Sequence, residues 1–187
     1  MKDLLRSLLI FIIMSLLTGL VYPSIITAIS DVTMPHKARG SLIISKDKIV
    51  GSALIGQQYS NARYFHGRSS ALQKPYDASN SGGSNFGPSN GKFLEDLNKR
   101  MSDARSKNDL DHTASVPADM VLSSASGLDP HISNETALLQ AARVARARGL
   151  PETQIRKTIT EVAERHLTGP KIVNVLKLNM AIDELTH

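Results

Sequence analysis

The stretch SLLIFIIMSLLTGLVYPSIITAIS, residues 7–30, carries no charged side chain, and Leu, Ile, Phe and Met dominate its first half. A helix rises about 1.5 Å per residue, so these positions span roughly 36 Å. The hydrocarbon core of a bilayer is about 30 Å thick, so the segment crosses it once with some tilt. No later stretch is long and uncharged enough to do so. The rival reading is a cleaved signal peptide, with Lys2 and Arg6 as its positive start and Ala28-Ile29-Ser30 as a small-residue cleavage site. The apolar run outlasts the usual 7–15 residues of such a leader, which favours a retained anchor. Pro23 predicts a kink or an end near Tyr22, and Tyr22 suits the interfacial level.

The reading is α+β: one N-terminal transmembrane helix at residues 1–30, then one mixed soluble domain at 31–187. The flanking charges do not decide orientation, since Lys2 and Arg6 precede the span and Lys37 and Arg39 follow it. A short N-terminal tail beside an anchor commonly stays in the cytoplasm, which puts the domain outside. The chain has 22 Lys and Arg, 17 Asp and Glu, and no Cys. Disulfides and thiolate metal sites are thereby excluded. Lys2 and Arg6 balance Asp3 and Asp31, so the remainder holds the whole +5 excess. That basicity suits anionic lipid headgroups or an acidic partner. It does not indicate nucleic acid, because Arg143, Arg146 and Arg148 lack interleaved stacking aromatics and read as a solvated or headgroup-facing helix face.

Residues 40–45 and 49–54 are Ile-rich runs around Lys46-Asp47-Lys48, which predicts a β-hairpin without the usual turn glycine. Tyr59, Tyr64 and Phe65 are expected to plug a small core. Residues 78–90, rich in Ser, Asn and Gly, form a loop leading to a helix capped by Ser89 or Asn90. Leu94, Leu97, Met101 and Ala104 give that helix its stripe, and 102–115 reads as an exposed connection. Met120-Val121-Leu122 suggests a strand. After a second loop, 123–133, Ser133 caps a helix through Arg148 whose face is Ala137, Ala141, Val144 and Ala145. Gly149 ends it and Pro151 opens another helix, with Ile155, Ile159, Val162 and Ala163 buried and Gly169-Pro170 as its stop. Residues 172–185 start as a strand and finish as a helix.

The first candidate site is the loop Ser81, Gly82, Gly83, Ser84, Asn85, Phe86, Gly87. Backbone N–H groups before a helix can cradle an anion. A P-loop is not present: Phe93 follows Gly91-Lys92 where Ser or Thr is needed, and Phe86 replaces the first glycine. No acidic residue ends an apolar strand as a magnesium ligand. The loop therefore reads as a partner-docking surface before a nucleotide site. The second candidate is Gly127, Leu128, Asp129, Pro130, His131 and Ser133. Asp129 beside His131 offers two donors for a metal, yet His36, His66, His112, His131, His166 and His187 stand isolated, so Asp129 reads as a turn former. Ser126 lacks a nucleophile elbow. Catalytic and metal residues are accordingly assigned to none.

Several long motifs follow one another along the chain: Thr18-Gly19-Leu20-Val21-Tyr22-Pro23, Gly51-Ser52-Ala53-Leu54-Ile55-Gly56-Gln57 and Tyr64-Phe65-His66-Gly67-Arg68. They continue with the Gly-rich loop through Asn90, residues 124–133, and Val173-Asn174-Val175-Leu176-Lys177-Leu178-Asn179. Over nearly its whole length the chain resembles the C subunit of the Kdp-type potassium-transporting ATPase. The resemblance implies an accessory subunit without its own active site, in the cell membrane. Its implied partners are a channel-like potassium-binding subunit, a P-type ATPase catalytic subunit, a small single-span subunit and membrane lipid. Potassium and magnesium belong to the complex. The family is also credited with raising the catalytic subunit's affinity for ATP, which requires a cytoplasmic domain. An ATP site and an external domain exclude each other, and the residues of the Gly-rich loop side with the external one. A reading of another class is a free-standing, membrane-anchored protein that binds an anion or nucleotide at residues 81–84.

Overall fold

The computed structural model describes residues 1–165 and 169–185, in two compact units that divide between Ser52 and Ala53. The first unit opens with α1 (Lys2–Leu16), a π-helical turn (Leu17–Val21) and α2 (Tyr22–Thr33). Together they make one 32-residue apolar helix, Lys2–Thr33, none of which is buried by protein. Of the kink or end expected near Tyr22, the end does not occur, and the helix continues past Pro23. Pro23 offers no N–H, and the wider turn just before it lets the Tyr22 N–H reach Leu17 O, so the helix carries on. Thr18 and Thr27 donate their hydroxyls to the carbonyls of Met14 and Pro23, at 2.7 and 2.8 Å. Those bonds pair both threonine hydroxyls within the helix itself.

A short α3 (Pro35–Ala38) leads to the expected hairpin of β1 (Leu42–Ser45) and β2 (Lys48–Ser52). Its turn is Lys46-Asp47 alone, both at positive φ, so Lys48 already belongs to the strand. This is the primed hairpin geometry, built here without glycine.

In the second unit a three-stranded antiparallel sheet runs in the order β3 (His131–Ser133), β5 (Lys171–Asn174), β4 (Glu164–Arg165). Around it lie α4 (Gly91–Lys107), α5 (Ala118–Val121), α6 (Asn134–Arg148), α7 (Glu152–Val162) and α8 (Val175–Glu184). Asn90 caps α4 and Ser133 caps α6, their side-chain oxygens accepting the N–H of Phe93 and of Thr136. Gly149 ends α6 in the left-handed conformation. Ala137, Ala141 and Val144 of α6, Ile155 and Ile159 of α7, and Leu178 and Ile182 of α8 close on Ile132, Val173 and Phe65.

Three elements of this unit differ from expectation. The polar residues 102–107 continue α4, because their spacing still places Ala104 inward. Met120-Val121 belongs to a single helical turn rather than a strand, since Pro117 presets its start. Finally, α7 ends at Val162, well before Gly169-Pro170, when the chain turns into β4. His166 and His187 lie outside the described residues.

The aromatic segment has no regular structure, and buried side chains take the place of a neighbouring strand. Asn179 accepts the Phe65 N–H at 2.8 Å and donates to its carbonyl at 3.0 Å. Gln140 does the same for His66, at 2.9 and 3.1 Å. Arg143, only 6% exposed, donates to Ala62 O, Tyr64 O, Asn108 Oδ1 and Gln140 Oε1. Arg148 pairs with Asp183 at 2.7 Å and lies over the Tyr64 ring. The three arginines are thus not one solvated face. Only Arg146 is mostly exposed, where it pairs with Asp109.

Candidate functional site

The two candidate loops meet. Gly82 donates its N–H to Ser126 O at 2.9 Å, and the Ser81 hydroxyl reaches the same carbonyl at 3.2 Å. Gly83 lies so close to Ala125 that a Cβ there would stand 3.0 Å from its carbonyl oxygen. Gly127, at φ +71°, backs onto Leu72 and Gly82 O. The Ser126 hydroxyl accepts the Leu128 N–H at 3.1 Å, a local turn bond. Ser84, Asn85 and Gly87 remain exposed on the outer limb of the Gly-rich loop.

That geometry bears on anion binding. A phosphate cradle needs several free N–H groups aimed at one point. Here the Gly82 N–H is already used, and the Phe93 N–H in the first turn of α4 is taken by the Asn90 side chain.

Asp129 works as a junction. Its Oδ1 accepts the His131 N–H at 2.9 Å, and its Oδ2 pairs with Arg68 Nη1 at 3.0 Å. Burial alone would raise the Asp129 pKa, but the bonds from His131 and Arg68 outweigh it and hold the carboxyl below its ordinary value. The His131 ring stands 3.7 Å from Asp129, too far for a hydrogen bond. Ser133 and Thr136 share a different carboxylate, Asp119, which accepts the Ser133 N–H at 2.6 Å and the Thr136 hydroxyl at 2.7 Å. Pro130 O accepts the Val175 N–H, and Leu128 O accepts the Gly56 N–H. These bonds all go to holding the shape of the second loop. Among the described residues, no three His, Asp or Glu side chains converge as a metal site would require.

Arg68, Leu72, Tyr76 and Asp119 complete the site and were not singled out from sequence for these roles. Tyr76 donates to Arg68 O at 2.5 Å, and its ring fills the space beside Gly56 and Gly67, where no Cβ would fit. Burial pushes its phenol up to about 12, so it stays a donor. A hollow of about 460 Å³ opens beside the second loop, lined by Leu54, Ile55, Ala125, Leu128 and Pro130 with Arg68 and Asp129.

His66, next to this region, is pushed below 6.5 by burial and then by the Arg143 charge. The unfolded chain therefore takes up this proton first on acidification. The His66 contribution to stability is full above about pH 6.5 and declines as pH falls toward the lowered folded value. Urea midpoints should drop between about pH 7.5 and about pH 5.5, and His66→Gln should flatten that limb. An unchanged slope in His66→Gln would show that other groups carry it. Asp129 acts lower: its contribution is present above 3.8 and is lost as pH falls through its depressed folded value.

Residues 4–184 match the family described as "KdpC: K+-transporting ATPase, c chain". A protein of Polaromonas naphthalenivorans named "Potassium-transporting ATPase KdpC subunit" is 47% identical, over 99% of this chain and 96% of its own. Proteins of the same name from Rhodopseudomonas palustris and Geotalea uraniireducens are 41% and 43% identical, each covering at least 97% of both chains.

Proposed function

The chain belongs to the KdpC family, the c chain of the K+-transporting ATPase, and from that premise we propose a non-catalytic accessory subunit that docks on its partners through the joined loops. It is a single-pass membrane protein with one N-terminal apolar helix and a mixed α/β domain. The observation that carries the docking reading is the bond from Gly82 N–H to Ser126 O, which ties both loops into one surface and removes a donor from any phosphate cradle. The apolar hollow beside Leu128 and Pro130 gives that surface a receptor for a partner side chain. The partners are the potassium-binding and ATP-hydrolysing subunits, with the domain outside the cytoplasm. A role in raising ATP affinity by direct contact would need the opposite orientation.

The two glycines separate the readings. A Cβ at Gly82 has only Leu72 Cδ2 near it, at 3.9 Å, so Gly82→Ala should leave assembly unchanged. Gly83→Val drives a branched side chain against the Ala125 carbonyl and should lower the fraction of this subunit co-purifying with the complex. The full chain in detergent should show no saturable ATP binding by calorimetry. Micromolar ATP binding lost in Gly83→Val, with the C-terminus protected inside sealed right-side-out vesicles, would replace docking with the ATP role.

A further inference from the structure

A hairpin of two short strands is marginal in water unless something covers a face. In β1 and β2, Ile44 and Ile49 lie directly opposite each other, and they are 63% and 65% exposed. Leu42, 37% exposed and two residues before Ile44 in β1, extends the apolar face. Four cations flank it: Lys37 and Arg39 before β1, Lys46 in the turn and Lys48 at the start of β2. Only Asp31 and Asp47 oppose them over residues 31–52.

The chain itself limits where this hairpin can be. The helix Lys2–Thr33 is about 48 Å long at 1.5 Å per residue. The bilayer is about 30 Å thick in hydrocarbon and about 40–45 Å with headgroups, so the end of the helix emerges at headgroup level. Leu42 follows Thr33 by nine residues, at most roughly 32 Å of extended chain, and part of that is coiled in α3. We propose that the β1–β2 hairpin lies on the bilayer surface, with Ile44 and Ile49 seated at the acyl boundary and Lys37, Arg39, Lys46 and Lys48 against anionic lipid headgroups. An apolar centre ringed by lysines is the pattern of interfacial elements, whose long stems let the ammonium reach the headgroups. The cores of protein–protein interfaces are instead depleted in lysine.

The chain contains no tryptophan, so one introduced residue reports alone. Ile44→Trp and Ile49→Trp would be placed in the full chain, reconstituted in phosphatidylcholine vesicles with anionic phosphatidylglycerol and brominated acyl chains. Both should be quenched by the bromines, while Ser45→Trp, on the opposite, half-buried face of the strand, should escape them. A lysine near an anionic surface contributes roughly fivefold to such an equilibrium. Lys46→Asn with Lys48→Gln, which retains a residue tolerant of the left-handed turn, should therefore lower lipid contact by up to roughly twenty-five-fold. Phosphatidylcholine alone should weaken quenching in the same direction. Three results would overturn the proposal: acrylamide quenching of Ile44→Trp and Ile49→Trp without bromine quenching, equal behaviour of all three variants, or shielding that appears only when the partner subunits are added.

Discussion

Gly127→Val is expected to destabilise the domain by about 3–5 kcal/mol and to remove this subunit from the assembled complex. Two effects add. Gly127 sits at φ +71°, a left-handed conformation that costs an L-residue about 1–2 kcal/mol, and more when the side chain is β-branched. A Cβ would also lie 2.6 Å from Leu72 Cγ and 3.0 Å from Gly82 O, and forced packing of that kind costs typically about 1–3 kcal/mol. Leu72 can give way, but the Gly82 carbonyl belongs to the Gly-rich loop, so the strain passes into the other half of the site. Asp129→Asn is the informative partner. Asn keeps an oxygen to accept the His131 N–H, so the turn survives. It withdraws the charge facing Arg68, whose Nε is already buried without a partner among the described residues. With both side chains about a quarter exposed, that loss should be about 1–2 kcal/mol, between the values for surface and buried pairs. The checks are urea unfolding, the fraction of subunit retained, and potassium-stimulated ATP hydrolysis by the reconstituted complex. If Asp129→Asn abolishes hydrolysis while stability and assembly are kept, acid–base chemistry is present and the accessory reading is wrong.

Arg143→Met should cost about 3–5 kcal/mol, because buried acceptors left without a donor cost about 1–3 kcal/mol each and four are affected. One guanidinium satisfies four acceptors, from residues 62, 64, 108 and 140. Its removal leaves the Ala62 and Tyr64 carbonyls and the Asn108 and Gln140 side chains short of a donor, while Asn179 and Gln140 still hold Phe65 and His66. Arg143→Lys should recover little, since a single ammonium cannot reach acceptors spread over the face of a planar fork. Arg146→Met, on the exposed side of the same helix, should stay within about 0.5 kcal/mol. Thermal or urea unfolding of the three variants checks the order. Equal losses at 143 and 146 would mean that the contacts around Arg143 contribute nothing beyond surface charge.

Much of the architecture was legible because its signals are local. An uncharged run longer than a bilayer reads as a span without any partner. Ser133, Gly149 and Pro151 announce helix ends because each acts on its own backbone within a turn. The stripe of α6 and the strand-to-helix switch at 171–184 follow from periodicities of two and 3.6 in the side chains themselves. Local rules were overridden in places. Pro23 predicts a kink or an end near Tyr22, and a π turn carries the helix past it, while polarity predicts a connection from Ser102 and α4 runs on to Lys107.

The site is different in kind. Sequence marked the loops at 81–87 and 126–133 by their glycines and turn formers, but nothing in a linear pattern joins Ser81 to Ser126, Arg68 to Asp129, or Asn179 to Phe65. Those contacts span 45, 61 and 114 residues. They form because the core brings β3, α6 and α8 together, and the buried amides and Arg143 then pin the irregular segments to them. Composition placed three arginines on one basic helix. Only the tertiary structure could decide that two of them are structural, because the burial of a charge depends on acceptors supplied from elsewhere in the chain.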